Sequence, residues 1–187
     1  VTTPFKPDLT IDDEAFVANV DRLFEAGATG MVAAGCTGEF WALKLPERAH
    51  LAKLTVEACN GRGPAIVGTG SIREGEIIDQ IHAAKEAGAD GVLVMPPYFA
   101  RLTDAEMIAH FEAVDAASVL PILLYNIPGN AGNAITPALA DTLASARAEG
   151  LDVGLSAPCF DLDSVGDLGV LDAWRRSVGD PSLCPRT

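Results

Sequence analysis

Apolar residues along the chain follow two alternating rhythms. Short runs without polar interruption, at residues 30–34, 65–68, 91–95 and 122–125, read as strands buried on both faces, the kind found in a parallel sheet. Between them, apolar residues recur at helical spacing. In residues 11–26, Asp12, Asp13 and Glu14 precede Phe16, Val17, Val20, Leu23 and Phe24. That pattern predicts a helix with acids at its N-terminus, where the dipole favours them, and Gly27 ends it. Further helices are predicted over 46–58, 74–87, 103–116 and 136–148. Pro46 suits a first turn, and Thr136 reads as a cap with Pro137 at the first helical position.

The junction Glu25-Ala26-Gly27-Ala28-Thr29-Gly30 recurs as Glu86-Ala87-Gly88-Ala89-Asp90-Gly91. A reiterated βα unit of roughly 30 residues predicts a (β/α) barrel or a doubly wound sheet. Counting residues 1–5 as a first strand gives about five βα units and a sixth strand near 153–156. A closed barrel needs eight units, typically in about 250 residues, and the chain has 187. The expected fold class is therefore α/β, an incomplete (β/α)8 TIM barrel over residues 1–160. Residues 161–187 lose the rhythm and read as an irregular tail, with a weak helix at 163–174.

Hydrophobic residues make up 49% and charged residues 21%, which suits a globular protein, and no apolar run is long enough to span a bilayer. The N-terminus lacks the basic and apolar regions of a signal peptide, and it lacks an initiator Met, which suits a processed or incomplete end. A net charge of −13 without a basic cluster argues against nucleic acid as a partner. Cys36, Cys59, Cys159 and Cys184 form no Cys-x-x-Cys pair, so zinc and a disulfide framework are not expected and a cytoplasmic location is. His50, His82 and His110 fall in predicted helices at no metal-ligand spacing, and no metal is expected.

Chemistry in parallel α/β folds gathers at the C-terminal ends of strands. Tyr125 and Asn126 stand where the run from Ile122 ends, before Pro128-Gly129 turns the chain away. A tyrosine there suits proton transfer, and equally a ring that packs and bonds locally. The loop Gly35-Cys36-Thr37-Gly38-Glu39 follows an earlier strand. Its small residues, N–H groups and Thr hydroxyl suit a carboxylate, although a plain tight turn is the safer reading from the motif alone. Glu39 could be a base, but a structural carboxylate accepting local N–H bonds is the better reading. Of Tyr98 and Phe99, after Pro96-Pro97, one is expected to pack and the other to line a pocket. Cys36 could be a nucleophile, but no histidine is recognisably placed to activate it.

Several motifs stand in a recognisable order. They are Thr3-Pro4-Phe5, Gly27-Ala28-x-Gly30, Gly35-x-Thr37-Gly38-Glu39, Glu47-Arg48, Gly88-Ala89-Asp90, Pro97-Tyr98 and Tyr125-Asn126-x-Pro128. Over roughly residues 1–145 the chain resembles the dihydrodipicolinate synthase and N-acetylneuraminate lyase family. The resemblance implies a (β/α)8 barrel, often homotetrameric, acting on pyruvate or another 2-oxo acid through a Schiff base on lysine, with no further cofactor. It implies that Thr37, Gly38 and nearby N–H groups hold the oxo-acid carboxylate, and that Tyr125 shuttles protons. Cys36 would stand where the synthases carry a second relay Thr, Phe99 where they carry a relay Tyr, and Asn130 near a substrate-binding Arg. Tyr98 and Phe99 would border the substrate.

The lysine is where the chain departs. Its lysines are Lys6, Lys44, Lys53 and Lys85, and none follows Tyr125. The family's lysine falls within 151–156, where Ser156 or Val153 stands instead. Three readings follow: a lyase or synthase of this family on a shortened chain that is inactive for want of its lysine, a non-catalytic oxo-acid-binding or scaffold relative, or a half-barrel fragment with an unpaired edge. The loss of pattern after about Ala144 suits a truncation or frame change. The relay changes point to 2-oxo acids other than the dihydrodipicolinate precursor, sugar acids among them.

Overall fold

In the computed structural model, the described residues are 1–136 and Leu139, and all belong to one compact unit. The chain alternates helices and strands: α1 (Asp13–Glu25), β1 (Met31–Ala33), α2 (Leu45–Cys59), β2 (Ala65–Gly68), α3 (Glu74–Ala87), β3 (Gly91–Val94), α4 (Asp104–Ala117), β4 (Ile122–Leu124) and the short turn α5 (Pro128–Ala131). The strands form one parallel sheet in the order β1-β2-β3-β4. The described residues form part of a (β/α)8 barrel.

Local chemistry explains the boundaries. Asp12 caps α1 by accepting the Ala15 N–H at 3.1 Å, and Thr103 caps α4 in reciprocal exchange with Glu106. The repeated Ala-Gly-Ala junction is a repeated helix stop. Gly27 and Gly88 take φ +98° and +88°, conformations that disfavour any side chain. Around them Ala28 N–H bonds Leu23 O and Ala89 N–H bonds Ala84 O, both at 3.0 Å, which fastens each turn to its helix.

Parallel strands covered by helices bury one face deeply. Met31, Ala33 and Ala65 pack with Phe16 and Val20 of α1 and Leu51 of α2, while Val67, Val92 and Val94 pack with Ile77 and Ile81 of α3 and Phe111 of α4. Each fully buried Ile, Leu or Phe contributes roughly 1.5–3 kcal/mol. The opposite face carries the register row Gly68, Leu93, Leu123 and is only partly covered. Leu123 is 37% exposed.

Two expectations are corrected. The run at β4 was expected to be buried on both faces, but Ile122 and Leu124 are half-buried and Leu123 is exposed, because β4 is the last strand of the described sheet. Residues 1–5 form no strand. They are held instead by the Val1 amine donating to Val32 O at 2.7 Å, and by one antiparallel bridge between Phe5 and Ile11. The expected strand near 153–156, the tail at 161–187 and nearly all of helix 136–148 lie outside the described residues. The cap of that helix does not: Thr136 Oγ1 accepts the Leu139 N–H at 3.2 Å.

Candidate active site

The four strand ends converge on a small cavity of about 10 Å³ lined by Gly35, Cys36, Phe40, Gly70, Met95 and Tyr125, among others. That is about the space of one water. The approach of the strand ends depends on Gly68, where an added Cβ would lie 2.0 Å from the Ala34 carbonyl oxygen.

After β1 the chain winds through tight turns into a 3-10 turn at Phe40–Ala42. Gly38 N–H donates to Gly35 O at 3.0 Å and Glu39 N–H to Cys36 O at 2.9 Å. The opening amides of such a turn have no carbonyl behind them. Accordingly the Thr37 N–H and hydroxyl make no hydrogen bond among the described residues, and Thr37 is exposed. Gly38 is buried, and its carbonyl accepts the Thr3 hydroxyl at 2.8 Å, so the N-terminal segment braces the loop. Glu39 departs from expectation: it takes φ +54°, stands exposed, and its carboxylate accepts no local N–H among the described residues.

Tyr125 is held by its N–H donating to Val94 O at 2.8 Å, and its side chain lines the cavity with Cys36. Asn126 does not reach the cavity. Its amide exchanges two hydrogen bonds with Ile135, closing the loop after β4. Asn130 lies exposed on α5 and is not among the residues lining the cavity.

The expected pair Tyr98 and Phe99 divides differently. Tyr98 is half-buried and sets its ring edge to face with Phe40 at 6.0 Å. Burial pushes its hydroxyl upward from the ordinary phenol range, against the opposing pull of Arg48. Phe99 neither packs in the core nor lines the cavity: it is 90% exposed at φ +69°, touching the Tyr98 ring. The backbone turns outward there and carries the ring with it.

Two residues that the pattern reading left without a role hold this mouth together. Arg48 of α2 is buried and donates to Gly70 O and Gly68 O, both at 2.9 Å. Burial pulls it down to about 10, with Tyr98 and Glu76 opposing. Its signal in the sequence is its place on the stripe Arg48, Leu51, Ala52, Thr55, the inward face of α2. Asn133 grips the β3–α4 loop through Pro97 O, Ala100 O and the Leu102 N–H. A larger cleft of about 240 Å³ lies between α2 and α3 and touches this region only through Arg48. Lys6, Lys44, Lys53 and Lys85 are all exposed, and none lines the cavity. Among the described residues no cluster of His, Cys, Asp and Glu could hold a metal ion, and no helix is long and apolar enough to cross a membrane.

Comparison with known proteins places these features in a lineage. Residues 1–151 match the Dihydrodipicolinate synthetase family. The putative 2-dehydro-3-deoxy-D-gluconate aldolase YagE of Escherichia coli K12 is 37% identical over 147 residues, which are 79% of this chain and 49% of that protein. The 4-hydroxy-tetrahydrodipicolinate synthase of Rhizobium meliloti is 42% identical over 129 residues, 69% of this chain and 44% of that one. The crystal structure of YagE in complex with pyruvate superposes with a TM-score of 0.78 at 33% identity, covering 96% of this chain and 59% of that one. The chain thus spans about half the length of the curated relatives it matches.

Proposed function

The chain belongs to the dihydrodipicolinate synthetase family, and from that premise we propose that it carries the 2-oxo-acid half of a pyruvate-type lyase or synthase site but forms no Schiff base by itself. The observation that carries the reading is the meeting of Tyr125 and Cys36 on one cavity at the strand ends, with the next residue, Thr37, keeping an N–H and a hydroxyl that make no hydrogen bond among the described residues. A carboxylate is an acceptor only, so an amide and a hydroxyl presented together suit it. The oxo acid sits across the mouth rather than inside, since the cavity takes only a water-sized group. Tyr125 then addresses the reacting carbonyl as hydrogen-bond donor.

Covalent chemistry needs a neutral amine that attacks the carbonyl carbon and expels water, giving an imine that draws electrons from the adjacent bond. Such an amine is kept neutral by burial. Every lysine of this chain is exposed and none lines the cavity, so in this reading Tyr125 has no imine to serve. Lyase activity by aldol or dehydratase chemistry belongs in this reading to the complete barrel. A cytoplasmic location, a homotetramer and the division at residue 160 extend the same reading.

Incubation with pyruvate and borohydride, followed by intact-mass and peptide analysis, tests it. The expected result is no reduced adduct, together with pyruvate contacts seen by saturation-transfer NMR that weaken in Thr37→Val. A stable adduct on any of the four lysines overturns the claim that no imine forms. Absence of pyruvate contacts overturns the oxo-acid reading.

A further inference from the structure

The Arg48 guanidinium is a buried cation with no carboxylate bonded to it among the described residues. It is 5% exposed, and its acceptors are two backbone carbonyls, those of Gly68 and Gly70. It also lies over the Phe40 ring, 5.3 Å from the centroid. Removing a charge from water is costly unless its donors are met; among the described residues Nη1 and Nη2 are met by these carbonyls while Nε has no partner, so position rather than full pairing is what the contacts secure.

Two of these contacts belong to one wall of the mouth and the third to another. Gly68 is the last residue of β2, and Gly70 follows it in the β2–α3 loop. Phe40 closes the turn that begins at Gly35, and its ring meets Trp41 at 5.4 Å and Tyr98 at 6.0 Å. Gly70 itself is pressed between walls, since an added Cβ would lie 3.0 Å from Met95 Sδ and 3.2 Å from the Phe40 ring. One planar group therefore spans the ends of β1 and β2 and reaches, through Phe40, the aromatic residue after β3. Nη1 and Nη2 of a guanidinium present donors in a fixed planar fork, which an ammonium cannot reproduce.

We propose that Arg48 is a positioning residue: by bridging Gly68, Gly70 and Phe40 it fixes the spacing between the 35–39 loop and the end of β2, and so the geometry of the carboxylate-binding turn. As a statement about ligand binding it rests on the oxo-acid reading above. As a statement about the loops it does not.

Amide hydrogen exchange on the whole chain, compared among wild type, Arg48→Lys and Arg48→Met, separates the two. The expected result is exchange faster by roughly tenfold or more in residues 35–42 and 68–73, graded Met above Lys above wild type, with α1 and α4 unchanged. Trp41 emission should shift in the same order. Equal acceleration throughout α1 and α4, or loss of the fold in both variants, would make Arg48 a general prop and overturn the proposal, as would unchanged exchange in the two loops. In a parallel titration, pyruvate affinity should fall roughly tenfold or more in Arg48→Lys, as expected for a misplaced binding group. If wild type binds no pyruvate, the oxo-acid reading fails while the loop exchange still decides the role of Arg48. If wild type binds and Arg48→Lys binds equally well, the positioning claim fails alone.

Discussion

Asn133→Ala removes the anchor of the loop that carries Tyr98 and Phe99. The Asn133 side chain is 5% exposed and makes three hydrogen bonds: Nδ2 donates to Pro97 O and Ala100 O, each at 2.7 Å, and Oδ1 accepts the Leu102 N–H at 3.0 Å. Alanine deletes all three. The bond to Pro97 is buried, whereas those to Ala100 and Leu102 are part-buried and can be replaced in part by water. A net of about 0.5–1.5 kcal/mol per bond, with about 1–3 kcal/mol for a buried acceptor left unmet, predicts a loss of about 2–4 kcal/mol. That is a large share of the 5–15 kcal/mol or so that stabilises a typical domain. Urea unfolding measures it, with an unchanged m-value required for the comparison. Asn126→Ala is the control: its two bonds to Ile135 are exposed, so the loss should stay below about 1 kcal/mol. If Asn133→Ala costs no more than Asn126→Ala, burial does not set the strength of this clamp and the reasoning fails.

Three further outcomes are expected. Gly68→Ala forces a Cβ against the Ala34 carbonyl, a backbone atom that no side-chain rotation can move aside, so it should cost about 3 kcal/mol or more in the same assay. Gly75→Ala, in the first turn of α3 with nothing within 4 Å, should gain about 0.5 kcal/mol. The third concerns pH. His110 on α4 is buried with Nε2 unpartnered, while Nδ1 lies 3.6 Å from Glu74 of α3, and burial holds its pKa below the ordinary 6.5 despite that carboxylate. Between those values the unfolded chain binds the extra proton, so stability is full above pH 6.5 and declines as pH falls toward the folded value. Denaturation of wild type and His110→Gln between pH 7.5 and about 5 should show a difference that narrows on acidification. A constant difference would refute it.

What the sequence made legible was local. Helices and strands followed from apolar spacing, and the two Ala-Gly-Ala junctions are the same positive-φ turn used twice. Tyr125 and Cys36 could be placed near one mouth because strand ends in parallel folds face one way. What stayed hidden depends on partners far along the chain. Arg48 bonds carbonyls 20 and 22 residues away, and Asn133 reaches 31 to 36 residues back. No periodicity encodes such a contact, although a cation on the inward stripe of α2 was a visible anomaly. Phe99 misled for a local reason, since either packing or pocket lining was expected of it and the backbone at φ +69° turned the ring outward. At β4 the apolar run was read correctly as a strand and wrongly as buried, because burial depends on neighbours and not on the run itself.

These distinctions bear on what the tyrosine at the end of β4 can accomplish. The six non-hydrogen atoms of pyruvate bound its affinity at roughly 1.5 kcal/mol each, about 9 kcal/mol in all, and on the oxo-acid reading the contacts with Thr37 and Tyr125 use only part of that ceiling. About 4 kcal/mol corresponds to a dissociation constant of about 1 mM. Hydrogen bonds to the carboxylate also act about equally on the ground state and the transition state, which lowers no barrier. The barrier falls only where electrons from the breaking bond have somewhere to go, and in the reading proposed above that place is an imine. On the oxo-acid reading proposed above, Arg48, Gly68 and Asn133 support a mouth that selects an oxo acid, and the consuming step waits on an amine that the four exposed lysines, none of which lines the cavity, do not present there.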